Sequence, residues 1–282
     1  MWTGLGINYN YQGSGANYLT DIPAIRKAGF KHIRLLINDY ANNTPTGIPL
    51  WKTILAYCLT FDFTTIGTGI SSNPTTYTSG TASAFTAAKV SFGTYLQGLN
   101  DSRIVFYHGN EEMYHRDGSL TDAQVRANMR TDYAAVKAVY TKGPVTYSMA
   151  NGEMFPYFND SLSYPWDFAS ANLYSYPHGS TTSGTSFTVN LSSATSWFGT
   201  TFQVSEFGPD PSGYADATWF HKDFYADQFV ANLRDIIDHN ITRGYIYNYM
   251  DSSFGCKSPN GTYRPWWYDL RGVARPFNVG MV

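Results

Sequence analysis

Short apolar runs alternate along this chain with amphipathic stretches, and the spacing predicts eight strand–helix pairs. Residues 3–9 read as the first strand, followed by a helix over 21–28 with Pro23 near its start and Gly29 at its end. The second strand is expected over 30–37 with a short helix at 50–59, and the third over 63–70 with a helix at 82–99. An apolar run at 104–107 forms the fourth strand. In the helix after it, Thr121 and Gln124 make a capping box, Val125, Met129, Val136 and Tyr140 recur near helical period, and Gly143 is the expected stop. A fifth strand at 145–149 leads into a long loop, and a sixth at 168–174 into a Ser/Thr/Gly-rich one. A brief helix at 192–198 precedes the seventh strand at 201–206, which is expected to end on Glu206. A long helix at 219–240, an eighth strand at 244–250 and a closing helix at 264–273 complete the series.

Eight such pairs in 282 residues, without a linker or charge run, predict an α/β fold: a single (β/α)8 TIM barrel spanning 1–282 with extended carboxyl-end loops. The alternative, an open doubly wound sheet, lacks its phosphate fingerprint, since Gly4-Leu5-Gly6 has no third glycine in place. Barrels of this kind do their chemistry where the strands end.

Composition narrows the partners. The formal net charge of −2 leaves no electrostatic footprint for nucleic acid or an acidic membrane surface, and no apolar run approaches the ~20 residues of a membrane span. Charged residues make up only 14% of the chain while aromatic residues reach 17%. Rings that cover apolar sugar faces, with amides and hydroxyls for the edges, suit a carbohydrate ligand. Cys58 and Cys256 have no metal-ligand spacing, and a disulfide between them is possible but not needed at this size. Met1 leads directly into the first strand, so no secretory leader is expected in this stretch; sequons at Asn42, Asn159, Asn190, Asn240 and Asn260 permit glycosylation, and a secreted location is expected, with a cytoplasmic one as the alternative.

The chemistry starts where the fourth strand breaks into Gly109, Asn110, Glu111 and Glu112. Buried charge is costly, so two acids and an amide at a strand end ask for a purpose. On the residues alone, Glu111 and Glu112 are equal candidates. Glu206 at the end of the seventh strand supplies a partner across the barrel mouth. Two carboxylates flanking one bond, one protonated and one ionised, are the minimum equipment for glycoside hydrolysis. A metal site from His108, Glu112 and His115 lacks the spacing of the known zinc motifs, and Ser205 is not in a GxSxG elbow.

The chain resembles clan A of the glycoside hydrolases, retaining (β/α)8-barrel enzymes of the cellulase and mannanase type. Asn110-Glu111 match the clan's Asn-Glu acid/base pair, and VSEFG at 204–208 matches the nucleophile strand with Glu206. Arg34 in AGFKHIRLLI takes the place of the arginine that steadies the nucleophile, and Asn172-Leu173-Tyr174 matches the slot of a tyrosine that hydrogen-bonds it. The segment 254–272 is similar to the clan's closing loop and last helix. The pattern departs at the eighth strand, where a Trp platform is usual and Tyr247-Asn248-Tyr249 stand instead; Tyr249, Trp266 or Trp267 would then carry the sugar.

The resemblance implies a double displacement with Glu206 as nucleophile, Glu111 as acid/base and Asn110 on the sugar's 2-hydroxyl. It implies no cofactor and no metal. The expected activity is cleavage of a β-linked oligo- or polysaccharide by a monomer, endo-acting because long loops suggest an open cleft. Exo action, a carbohydrate-binding barrel without catalysis, and a metal-dependent hydrolase are the alternatives. The subsites would draw on Tyr77, Tyr114, His115, Tyr157, Tyr176 and His178.

Overall fold

The computed structural model describes residues 3–10, 16–37, 55–56, 65–70, 82–108, 121–150, 162–175, 187–199, 201–209, 224–247, 256–257, 263 and 267–268. Nine strand segments form one parallel sheet: β1 (Gly4–Asn10), β2 (His32–Ile37), β3 (Thr65–Ile70), β4 (Ile104–Tyr107), β5 (Val145–Thr146), β6 (Ser148–Ala150), β7 (Ser170–Ser175), β8 (Gln203–Pro209) and β9 (Arg243–Ile246). β5 and β6 are two halves of one strand interrupted at Tyr147. The first half pairs with β4 through Phe106↔Val145, the second with β7 through Ser148↔Ser170. With β9 paired to β1, the circuit of eight strands closes as a barrel.

The helices α1 (Tyr18–Ala28), α2 (Ala82–Leu99), α3 (Asp122–Val139), α4 (Phe187–Phe198) and α5 (Phe224–Asp238) follow β1, β3, β4, β7 and β8. Of the helices expected at 50–59 and 264–273, only 55–56 and 267–268 are described, and both pairs are helical. The core lies between sheet and helices: Leu5, Ile7, Ile33, Leu35, Phe106, Leu173, Val204, Phe207 and Ile246 point outward onto Ile22, Ile25, Phe92, Leu96, Leu191, Leu233 and Ile236. Arg103 stays outside β4, bonded to Asp101.

Several boundaries differ from the expected ones, each for a local reason. α1 starts at Tyr18 rather than 21, because Asn17 accepts from the Leu19 N–H as N-cap. Pro23 therefore sits inside the helix, while Gly29 does end it at φ 105°. The Thr121–Gln124 capping box forms, but α3 ends at Val139 and Gly143 is not its stop. Gly143 is small for a tertiary reason, since a Cβ there would lie 2.1 Å from the Ile104 carbonyl oxygen. α4 begins at Phe187, five residues before 192, its Ser/Thr-rich first turns hidden by the low-complexity loop. Asn190 falls in that helix, buried, donating to the Tyr174 carbonyl, so this sequon is spent on packing. Asn240 is exposed; Asn42, Asn159 and Asn260 lie outside the described residues.

Among the described residues, most inward-facing positions of the barrel are polar, where branched apolar filling is usual for the fold. Its amino-terminal floor holds His32 and Tyr245, whose rings lie 6.3 Å apart, and Gly6 admits the tyrosine, because a Cβ there would fall 2.4 Å from its ring. Burial, then the Arg243 charge, lowers the His32 pKa to about 3, so it is neutral. Above this layer lie Asn8, Arg34, Tyr107, Ser148, Asn172, Gln203, Ser205 and Glu206, all buried.

Candidate active site

The site is organised by an irregularity in β8. Its pairing with β7 runs Ala171↔Val204 and then Asn172↔Glu206, so Ser205 has no partner of its own. Its pairing with β9 likewise jumps from Val204↔Gly244 to Phe207↔Ile246. This is a β-bulge. In a regular strand, Glu206 would share its face with Val204, which points outward into the core. The extra residue turns Ser205 and Glu206 both inward and returns Phe207 to the helix side, where its ring lies 6.2 Å from that of Phe187. The seventh barrel strand thus does not end on Glu206 as expected; it continues to Pro209, and the acid is aimed from within it.

Glu206 is 4% exposed and fully engaged. Arg34 Nη1 donates to its Oε1 at 2.8 Å, and the Tyr174 hydroxyl donates to its Oε2 at 2.6 Å. Both contacts favour the ionised carboxylate. Arg34 has no exposed surface and is held on three sides. Its Nη1 also donates to Asn8 Oδ1 at 2.9 Å and to the Ser205 carbonyl at 3.4 Å, and its guanidinium lies 4.7 Å from the centre of the Tyr107 ring. Burial and the neighbouring Tyr245 raise the Tyr107 pKa, so its ring faces the cation as a neutral phenol, with Gln203 Nε2 donating to its hydroxyl.

The bulge has its own supports. Ser148 and Ser205 hydroxyls reach Asn172 Oδ1 at 2.8 and 2.7 Å and lie 2.8 Å from each other. Asn172 is fully buried, and these two hydroxyls meet its carbonyl oxygen. Tyr247, whose ring meets that of Tyr174 edge-on at 6.5 Å, adds an aromatic wall beside Glu206.

Four of the expected site residues are thus brought together: Arg34, Asn172, Tyr174 and Glu206. Asn110, Glu111, Tyr249 and Trp266 lie outside the described residues, as do Glu112, Cys58 and the loop residues Tyr77, Tyr114, His115, Tyr157, Tyr176 and His178. Trp267 is not a sugar platform: it is buried, stacked on Phe30 at 5.9 Å and Tyr263 at 5.3 Å. His108 turns outward between Tyr133 and Tyr147 and donates from Nε2 to the Pro165 carbonyl at 2.6 Å; burial lowers its pKa to about 4. Sequence reasoning passed over Asn8, Tyr107 and the supporting role of Ser205. An Asn on the inward face of the first strand was the visible signal for the first of these.

No protein-family profile and no curated protein matches the sequence. Among solved structures, the fold is shared with a family 39 glycoside hydrolase from the gut symbiont Bacteroides cellulosilyticus, at 13% identity and a TM-score of 0.67 over 99% of this chain and 64% of that one. A protein designated GH5_18 from Bifidobacterium longum matches at 11% identity and a TM-score of 0.71, covering 99% of this chain and 80% of its own. Bacteroides uniformis beta-glucuronidase 2, covalently bound to cyclophellitol-6-carboxylate aziridine, matches at 15% identity and a TM-score of 0.71, covering 96% of this chain and 35% of its own. At these identities the likeness concerns the (β/α)8 barrel, a fold that hosts many chemistries.

Proposed function

We propose that the protein is a retaining glycoside hydrolase that cleaves β-linked oligo- or polysaccharide, with Glu206 as its nucleophile. The observation that carries this reading is the bulged carboxylate: a glutamate in the carboxyl-terminal half of a barrel strand, buried, held ionised between a guanidinium and a phenol. Such a group is oriented to attack rather than to bind protons. Fold likeness to barrels named as glycoside hydrolases supports the reading, as does a β-glucuronidase of this fold bound covalently to an aziridine, a group opened by nucleophilic attack.

In the proposed mechanism, a Glu206 oxygen attacks the anomeric carbon as the bond to the leaving oxygen breaks. Glu111, two residues beyond Gly109 at the exit of β4, protonates that oxygen. It then takes a proton from water, whose oxygen displaces Glu206 and restores the original anomeric configuration. Arg34 keeps Glu206 charged and in place, and Tyr174 fixes its other oxygen, leaving the carboxylate no rotation to search. Asn110 would meet the 2-hydroxyl, and Tyr247 with Tyr249 or Trp266 would offer ring faces to the sugar. Endo action, secretion and a monomeric state belong to the same proposal, and sizing the products from a panel of β-linked polysaccharides separates endo from exo cleavage.

The test is Glu206→Ala and Glu111→Ala, assayed on whichever 2,4-dinitrophenyl β-glycoside the wild type turns over. Each is expected to lose at least about a thousandfold in kcat. Azide should restore activity to the Glu206 variant as the α-glycosyl azide forms. Near-wild-type turnover in either variant would exclude the assignment.

A further inference from the structure

We propose that Asn8, on β1, is a positioning residue for Glu206: it sustains the bulge that turns this carboxylate inward and holds Arg34 against it. The inference rests on the nucleophile reading above and adds a residue to it.

A bulge leaves carbonyls that the ladder cannot use, and a buried unpaired carbonyl is costly. Where the β8–β9 register jumps, Asn8 spans the gap. Its Nδ2 donates to the Ser205 carbonyl at 3.0 Å and to the Ile246 carbonyl at 3.3 Å, on the two strands whose pairing is interrupted. Its Oδ1 accepts from Arg34 Nη1 at 2.9 Å, the same nitrogen that reaches Glu206. One fully buried amide therefore joins β1, β2, β8 and β9, with each of its three contacts directed at something that places Glu206. No other common side chain of this size offers two donors and an acceptor at those angles. Aspartate has the same shape but no donor, and its negative charge would draw Arg34 away from Glu206. Leucine keeps the volume and loses all three contacts.

Among the described residues, the charged and titratable groups that face this cluster are Arg34, Glu206, Tyr174, Tyr247 against Tyr174, and Tyr107, whose ring lies beneath Arg34. The primary readout needs no substrate. The Glu206 carboxyl is followed by 13C NMR from pH 3 to 9, and its resonance is assigned by its loss in Glu206→Gln. Asn8→Asp should raise the Glu206 midpoint by about one unit or more, because a competing carboxylate weakens the opposite charge that holds it down. Asn8→Leu should raise it too, by loosening Arg34, and Asn8→Gln should not restore the wild-type value, since its longer arm misplaces the amide. On the 2,4-dinitrophenyl glycoside, the Asn8→Asp variant should lose roughly tenfold or more in kcat, with KM little changed and the acidic limb of the pH profile moved upward by the same amount. A folded Asn8→Asp protein whose Glu206 midpoint stays at the wild-type value would overturn the proposal, whatever its melting temperature. An active Glu206→Ala variant would instead sink the nucleophile reading, while a shifted midpoint would still establish the coupling from Asn8 to the carboxylate.

Discussion

Replacing Arg34 by methionine should destabilise the protein in a pH-dependent way that can be worked out from the site. The guanidinium and the Glu206 carboxylate meet at 2.8 Å, both almost without exposure. That places their charge centres about 4 Å apart, and at an effective permittivity of about 20 the attraction is about 4 kcal/mol. Breaking a buried pair from one side typically costs about 3–5 kcal/mol, which agrees. Losing the attraction raises the Glu206 pKa, because the opposite charge that favours its ionised form is gone. The sign follows. In the variant, the folded state keeps a proton that the unfolded chain releases near a glutamate's ordinary value of about 4.3, so stability falls as pH rises above that value. A constant loss, from the bonds to Asn8 and the Ser205 carbonyl, adds at every pH. Guanidinium unfolding of wild type, Arg34→Met, Glu206→Gln and the double variant at pH 4.5, 6 and 8 resolves the two parts. The gap between wild type and Arg34→Met should widen by about 3–4 kcal/mol from pH 4.5 to 8 and should shrink strongly in the Glu206→Gln background. A gap of equal size at both pH values, or one that persists without the carboxylate, would show that Arg34 does not serve Glu206.

Three further outcomes follow from the same structure. Tyr174→Phe removes the hydroxyl at 2.6 Å from Glu206 Oε2; it should cost about 1–2 kcal/mol in unfolding stability and lower the rate of the glycosylation step, read by pre-steady-state release of dinitrophenol. Gly143→Ala forces a Cβ to within 2.1 Å of the Ile104 carbonyl and 2.6 Å of the Tyr140 hydroxyl, and should lower stability by about 2 kcal/mol or more, although a helix-stop role would predict little change for alanine beyond the end of α3. His32 and His108 are buried with pKa values lowered to about 3 and about 4; because the unfolded chain takes up these protons first, stability should decline as pH falls below about 6.5, and His108→Asn should flatten that decline. A melting profile flat from pH 7 to 5 would contradict the burial of both rings.

The strands were legible because outward-facing positions such as Ile7, Ile33, Leu35 and Val204 must bury apolar surface whatever the barrel contains. Arg34, Tyr174 and Glu206 were legible through a resemblance that ties residue types to strand ends. The aim of Glu206 was not. A period-two reading of VSEFG puts Val204 and Glu206 on one face, and only the bulge separates them, held by Asn8, Ser148 and Asn172 from three other strands. Gly143 misled for a similar reason: a glycine after a helix suggests a cap, whereas this one makes room for a carbonyl on another strand. The break at Tyr147, where one strand changes partners, leaves no trace in the hydrophobic pattern either, since Val145, Tyr147 and Met149 are all buried on the core side.

The most direct measurement is covalent trapping. The protein is incubated with the 2,4-dinitrophenyl 2-deoxy-2-fluoro-β-glycoside of the sugar it turns over, then digested and mapped by mass spectrometry. A nucleophilic Glu206 should yield a stoichiometric burst of dinitrophenol and a single glycosyl adduct on the peptide containing Glu206, absent in Glu206→Gln. A stable adduct on any other residue, or continued turnover by Glu206→Gln at the wild-type rate, would contradict the assignment of Glu206 as the group that attacks the sugar.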